Sequence, residues 1–139
     1  MAIEMELEVD ERLLPEQAAQ ILRTCGFAEF EDDTRGFIAF HPETKLNAYY
    51  RIDMHARKVL AEGMVPPVWK RHCCVTFRYT KGNLEACHAV TMGCARMLSV
   101  ENPAYFVLSF QFEGVYAIRD ASGFREITDP ASTMQFPAA

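Results

Sequence analysis

The chain has 139 residues, of which half are apolar and 24% are charged, and its formal net charge is −5. This size and composition favour one globular domain and argue against a disordered chain. No apolar run approaches the roughly 20 residues of a membrane span, and the acidic, alternating start is unlike an export signal, so a cytoplasmic protein is predicted.

Charge is sorted unevenly along the chain. Residues 1–43 hold 11 acidic and 3 basic side chains, whereas residues 44–82 hold 2 acidic and 8 basic ones. The negative total argues against a nucleic-acid partner. The asymmetry predicts one acidic and one basic surface, although charge that only keeps the protein soluble gives the same pattern.

The first part of the chain predicts a strand, a helix and two further strands. Ile3, Met5, Leu7 and Val9 alternate with acidic residues, so period two places the apolar set in the core and the acidic set in water. Pro15 suits the first turn of a helix that ends before Gly26. Residues 28–42 then read as a strand, an acidic turn and a second strand.

The middle of the chain is harder to interpret. Residues 47–55 alternate as a strand does, although part of the same stretch also fits one face of a helix. The stretch "ARKVLAEG", residues 56–63, predicts a short helix. Two prolines at 66 and 67 predict an extended linker.

The order of elements then repeats. Residues 72–80 predict a strand, residues 83–99 an amphipathic helix that Asn83 can cap, and residues 104–127 three strands, the first of them central because it is almost wholly apolar. We therefore expect an α+β domain over residues 1–127. Two strand-helix-strand-strand units would form one largely antiparallel sheet, with both helices on one face. Residues 128–139 are expected to be a disordered tail.

Adjacent Cys73 and Cys74 raise the question of a thiol or metal site. On a strand they point to opposite faces and cannot bind one ion or form a relaxed disulfide. Zinc needs four ligands, usually in short spaced pairs, and the five cysteines show no such spacing. His72 and His88 are the nearest histidines that could activate a thiol. We predict no metal, no cofactor, no disulfide and no catalytic residue.

Three stretches carry a family resemblance. They are "MAIEMELEVDERLLPEQAAQILRTCGF", "VTFRYTKGNLEACHAVTMGCARMLSV" and "YFVLSFQFEGVYAIRDASGFREI". Their succession resembles the swarm-inhibition (Sit) immunity proteins, small cytoplasmic partners of toxins that pass between neighbouring bacterial cells. The resemblance implies a protein that neutralises a cognate toxin by tight non-covalent binding, and it carries no catalytic motif.

Two surfaces are candidates for contact with a toxin, and the acidic one is the first choice. The first is an acidic turn that contains Glu29, Glu31, Asp32 and Asp33, which would complement a basic nuclease groove. The rival is a basic surface around Trp69 and Lys70 that includes several arginines, because tryptophan and arginine are the usual anchors of protein interfaces. A secretion chaperone, or a small enzyme with a carboxylate or thiol site, are the alternatives, and the sequence leaves a monomer or a homodimer equally open.

Overall fold

The computed structural model describes residues 3–127, which form eight strands and two helices. In chain order the elements are β1 (Ile3–Val9), α1 (Pro15–Thr24), β2 (Ala28–Asp33), β3 (Gly36–His41), β4 (Leu46–Arg57), β5 (Arg71–Tyr79), α2 (Leu84–Glu101), β6 (Phe106–Phe110), β7 (Gly114–Asp120) and β8 (Gly123–Glu126).

The eight strands form one antiparallel sheet in the order β2-β3-β4-β5-β1-β6-β7-β8. The predicted α+β class with one largely antiparallel sheet is confirmed. The strands of the two units are interleaved in this sheet, because β1 of the first unit lies between β5 and β6 of the second.

Both helices pack on one face of the sheet, which we call the helical face. Leu22 of α1 and Leu98 of α2 line a common apolar interior with Leu7, Val75 and Phe77 of the central strands. The predicted alternation of β1 and β5 is confirmed on this face, since these side chains are buried. Leu108 of β6 is also fully buried, as a central strand requires.

The first helix ends at Thr24, before Gly26, as predicted. Gly26 has a φ of 100°, a left-handed conformation that glycine adopts at little cost. Its backbone amide donates to the carbonyl of Arg23, and the amide of Phe27 donates to that of Leu22. The chain therefore leaves the helix with its last carbonyl groups paired.

Residues 44–70 contain one confirmed and one wrong prediction. The strand expected at residues 47–55 is part of β4. The short helix expected at 56–63 does not form, because β4 runs to Arg57 and an irregular loop follows. Two backbone amides of this loop donate to the carboxylate of Glu8 in β1. These hydrogen bonds hold the loop in a non-helical conformation. The tail expected at 128–139 lies outside the described residues.

The second face of the sheet, opposite the helices, is also partly covered. The acidic side chains of β1 point to this face, but Glu6 and Glu8 are buried there rather than exposed. The expectation that all of them lie in water is therefore wrong. Residues 58–70, which we call the β4–β5 loop, provide this cover. The loop contacts Glu8 and then the β6–β7 turn. At that turn the amide of Glu62 donates to the carbonyl of Phe112.

Candidate partner-binding surfaces

The β4–β5 loop is anchored to the sheet by the carboxylate of Glu8. Its Oε2 accepts the backbone N–H of Leu60 at 2.7 Å, and its Oε1 accepts that of Ala61 at 2.9 Å. Glu8 is fully buried. A buried carboxylate is stable only when it is hydrogen-bonded and paired with an opposite charge, and these two amides supply hydrogen bonds.

Arg71, at the start of β5, supplies the opposite charge. Its Nη1 donates to Glu8 at 3.2 Å, while Nε and Nη2 donate to the two carboxylate oxygens of Asp53, each at 2.9 Å. Burial acts to lower the pKa of Arg71, but the hydrogen bonds to Asp53 and Glu8 outweigh it and leave that pKa raised. The guanidinium stays charged, so the cluster Glu8–Arg71–Asp53 fixes the end of β4, the loop and β1 together.

Exposed apolar side chains concentrate in the anchored segment. Of the seven large apolar side chains strongly exposed within residues 3–127, five lie between positions 52 and 68. They are Ile52, Met54, Leu60, Val65 and Val68, with Val65 at 86% and Val68 at 100% exposure. Such a concentration is typical of an interaction surface, whereas single exposed apolar residues need no explanation.

The predicted residues Trp69 and Lys70 belong to this same segment. Trp69 is half-buried and Lys70 is exposed, immediately before β5 begins. Arg57 and Lys58 are exposed at the other end of the loop. The basic candidates therefore belong to the same segment as the exposed apolar residues, which sequence reasoning did not single out. The two prolines flanked by Val65 and Val68 are the signal that could have found them.

The acidic candidates lie elsewhere, on the edge strand β2 rather than in a turn. Glu29, Glu31 and Asp32 are exposed along this strand, and the turn itself is formed by Thr34 and Arg35. The description of these residues as an acidic turn is therefore corrected.

Two features limit what the acidic edge can contribute. Asp33 already pairs with Arg51 at 2.9 Å and accepts the backbone N–H of Arg35 at 3.0 Å. Glu29 has a φ of 52° at a break in the register with β3. A charged edge strand with a break in its register is a common way to prevent edge-to-edge pairing, which accounts for this surface without a partner.

Glu6 points to the face of the sheet that the β4–β5 loop partly covers. One of its two carboxylate oxygens has no hydrogen-bond partner among the described residues. Its Oε2 accepts the hydroxyl of Thr76 at 3.1 Å, but its Oε1 and the Oγ of the cross-strand neighbour Ser109 have no hydrogen-bond partner among the described residues. Burial raises the pKa of Glu6 to about 7, against the lowering effect of Thr76. Glu6 is therefore a carboxyl group that titrates near neutral pH inside the fold.

The paired thiols of β5 lie on opposite faces, as predicted. Cys73 faces the helices beside the carbonyl of Leu13, and Cys74 faces the acidic side of β1. Burial raises the pKa of Cys73 to about 12 and that of Cys74 well above its ordinary value. A thiol that stays protonated is a weak nucleophile, so neither has the character of an activated cysteine.

A different pair of thiols meets between the helices. Cys25, after α1, and Cys94, in α2, share a hydrogen bond, which lowers the pKa of Cys25 and raises that of Cys94. Cys25 is half-buried, and all five cysteines are free thiols. Sequence spacing could not predict this contact, because 69 positions along the chain separate the two residues.

The histidines considered as partners of a thiol contact other groups. His88 Nδ1 lies 2.9 Å from the hydroxyl of Tyr79, and its ring packs edge-on against Tyr116. His72 Nδ1 lies 3.2 Å from the carbonyl of Lys70. In the part of the chain that the structure describes, no group of three or more His, Cys, Asp or Glu side chains could hold a metal ion.

Comparison with known proteins gives no relative. No family model, curated protein or solved structure matches the chain. Neither helix within residues 3–127 has the length and apolar character needed to cross a membrane.

Proposed function

We propose that the chain is an immunity protein, which neutralises a cognate bacterial toxin by binding it through residues 52–70. The observation that carries this proposal is the set of five exposed apolar side chains on the end of β4 and on the β4–β5 loop, next to the buried Glu8–Arg71–Asp53 cluster. The resemblance of the sequence to the Sit immunity proteins supplies the class of partner.

Anchoring matters for affinity. A flexible loop loses conformational freedom on binding, which costs about 0.5–1.5 kcal/mol for each side chain that becomes immobile. The contacts of Glu8 with Leu60 and Ala61, and that of Glu62 with Phe112, fix the first part of the loop before the partner arrives. More of the free energy of burying Val65 and Val68 then remains for binding.

The charges of this segment indicate the partner's chemistry. Arg57, Lys58 and Lys70 are exposed in this segment, against one exposed acidic residue, Glu62. The carboxylate of Asp53 is already paired with Arg71. A complementary partner presents an apolar patch with acidic residues at its rim. This choice favours Trp69 and Lys70 over the acidic edge of Glu29, Glu31, Asp32 and Asp33 as the contact surface.

The test uses the protein encoded by the reading frame immediately upstream as the probe. We expect Val65→Asp with Val68→Asp to weaken binding at least about thirtyfold, because two charges would enter an apolar contact at a cost of roughly 2 kcal/mol or more. Both side chains are almost fully exposed, so the fold should be unaffected. Calorimetric titration gives the affinity, and survival of cells that express the upstream protein reports neutralisation.

Glu31→Lys with Asp32→Lys is the matched control, since it changes two exposed residues of the acidic edge. A loss confined to this control would mean that the acidic edge is the contact surface and that the loop is not. Absence of any interaction with the upstream protein, together with no protection of the cells, would contradict the immunity function itself.

A further inference from the structure

We propose that the groove between α1 and α2 binds an apolar segment of a partner protein that carries a lysine or arginine. This site is separate from the surface proposed for the toxin. The groove lies in the helical layer, whereas the β4–β5 loop packs on the opposite face of the sheet.

The groove has a defined shape. It has a volume of about 470 Å³, within the range of about 300–1,000 Å³ that is usual for binding sites. Its apolar wall includes the buried Ile21 of α1 and the half-buried Met97 of α2. Glu16 at the start of α1 and Glu101 at the end of α2 both line it, because the helices run in opposite directions.

The charge of the groove is one-sided. No lysine or arginine is among its lining residues, and within residues 3–127 neither Glu16 nor Glu101 forms an ion pair. Glu101 lies in the last turn of α2, where the partial negative charge of the helix end disfavours a carboxylate, and that turn contains no basic residue. A cation bound here would offset this unfavourable arrangement.

One end of the groove is rigid. The side chain of Asn102 is buried, donates to Gln17 Oε1 at 3.1 Å and to the carbonyl of Arg12 at 3.3 Å, and accepts the amide of Ala104 at 2.8 Å. These bonds tie the end of α2 to the start of α1, so the relative position of the two helix ends that carry Glu16 and Glu101 is set before a ligand binds. An apolar wall with carboxylates at its rim matches a long apolar stem that ends in a cationic group.

The probe is a capped 12-residue peptide of alternating leucine pairs and lysines, and the same peptide with glutamine at each lysine is its neutral counterpart. We expect the lysine peptide to shift the methyl NMR signals of Met97 and Ile21 saturably, and the glutamine peptide to bind about tenfold more weakly or not at all. Equal binding of the two peptides, or no shift at these methyl groups, would refute the proposal.

Variants separate the groove from the overall charge of the protein. Glu16→Gln with Glu101→Gln should weaken the lysine peptide about tenfold, since both carboxylates that pair with its ammonium groups are lost. Glu43→Gln with Glu85→Gln removes the same charge from exposed positions outside the groove and should leave affinity within about twofold. Equal losses in both pairs would mean unspecific attraction and would overturn the site.

Two further measurements complete the test. Gln20→Lys places a cation on the exposed wall of the groove and should also abolish the shifts, without touching the core. Hexylammonium distinguishes a partner segment from a small amine. If it binds as tightly as the peptide and gives the same shifts, the groove is a small-molecule site and the proposal of a partner segment is wrong.

Discussion

Glu8 Oε2 and Arg71 Nη1 lie 3.2 Å apart in the buried layer beneath the β4–β5 loop, although 63 positions separate the two residues in the chain. Removing one member of a buried ion pair leaves the other charged and unpaired, which typically costs about 3–5 kcal/mol. We expect Arg71→Met to lower the free energy of unfolding by about this amount, as measured in urea. Arg78→Met is the control, because Arg78 pairs with Glu4 at an exposed site and its loss should cost less than about 1 kcal/mol. Similar losses in both variants would contradict the role of the buried cluster.

Glu8→Gln tests whether the carboxylate holds the loop. Glutamine keeps one acceptor oxygen but presents an amide NH₂ group to the second backbone N–H, so either Leu60 or Ala61 loses its partner. We expect faster tryptic cleavage after Lys58 and Lys70, as followed by mass spectrometry under native conditions. Glu4→Gln, on the same strand, should cleave at the wild-type rate. Unchanged protection of the loop in Glu8→Gln would show that other contacts hold it.

Glu6 predicts a pH dependence of stability. Its pKa is raised by burial to about 7 in the folded protein, from an ordinary value of 4.5. The folded state therefore binds the proton more tightly, and the stability that results is full below pH 4.5 and is lost as the pH rises through about 7. A shift of this size corresponds to about 3 kcal/mol.

We expect the free energy of unfolding of Glu6→Gln to decline less than that of the wild type between pH 4.5 and 8. His88 titrates in both proteins, so the difference between their two pH profiles of the free energy of unfolding reports the effect of Glu6. Burial lowers the pKa of His88, so its contribution has the opposite sign and increases stability as the pH rises. Parallel pH profiles for the wild type and Glu6→Gln would contradict the buried, proton-binding state of Glu6.

Cys25 should be the most reactive thiol. It is the one cysteine that is not buried, and the hydrogen bond from Cys94 lowers its pKa. Both properties increase the amount of accessible thiolate, which is the form that reacts. Brief treatment of the native protein with iodoacetamide, followed by peptide mass spectrometry, should find label at Cys25 well before the other four. Equally fast labelling of Cys73 or Cys74 would mean that β5 is less protected than its burial indicates.

The sequence predicts the elements better than it predicts what covers them. The alternation of Ile3, Met5 and Leu7 defines which side of β1 faces the helices, because period two is a local property of the chain. The same alternation cannot show whether the other side meets water. Glu8 accepts hydrogen bonds from a loop more than 50 positions away, and Glu6 is buried beside Thr76 and Ser109 of the neighbouring strands. The environment of both carboxylates therefore depends on tertiary contacts that no local pattern contains.

The β4–β5 loop is a case in which the local sequence predicts a helix and tertiary contacts prevent it. Residues 56–63 have good helix-forming composition, but the amides of Leu60 and Ala61 are used by Glu8 instead of by preceding carbonyl groups. A carboxylate contact inside the fold outweighs helix propensity, which is worth only a few tenths of a kcal/mol per residue. The exposed valines of this loop are visible in the sequence, but their exposure depends on the anchoring of its backbone.

The order of strands has a consequence for how the chain is made. β1 lies between β5 and β6, so the strand is synthesised well before either of its neighbours exists. Until residues 71–79 and 106–110 have emerged, both edges of β1 are open to pairing with other chains. Its alternating carboxylates keep this strand charged during that interval and oppose aggregation. The acidic residues that are costly to bury in the finished protein thus protect the nascent chain, and Arg71 of β5 neutralises Glu8 only when the correct neighbour arrives.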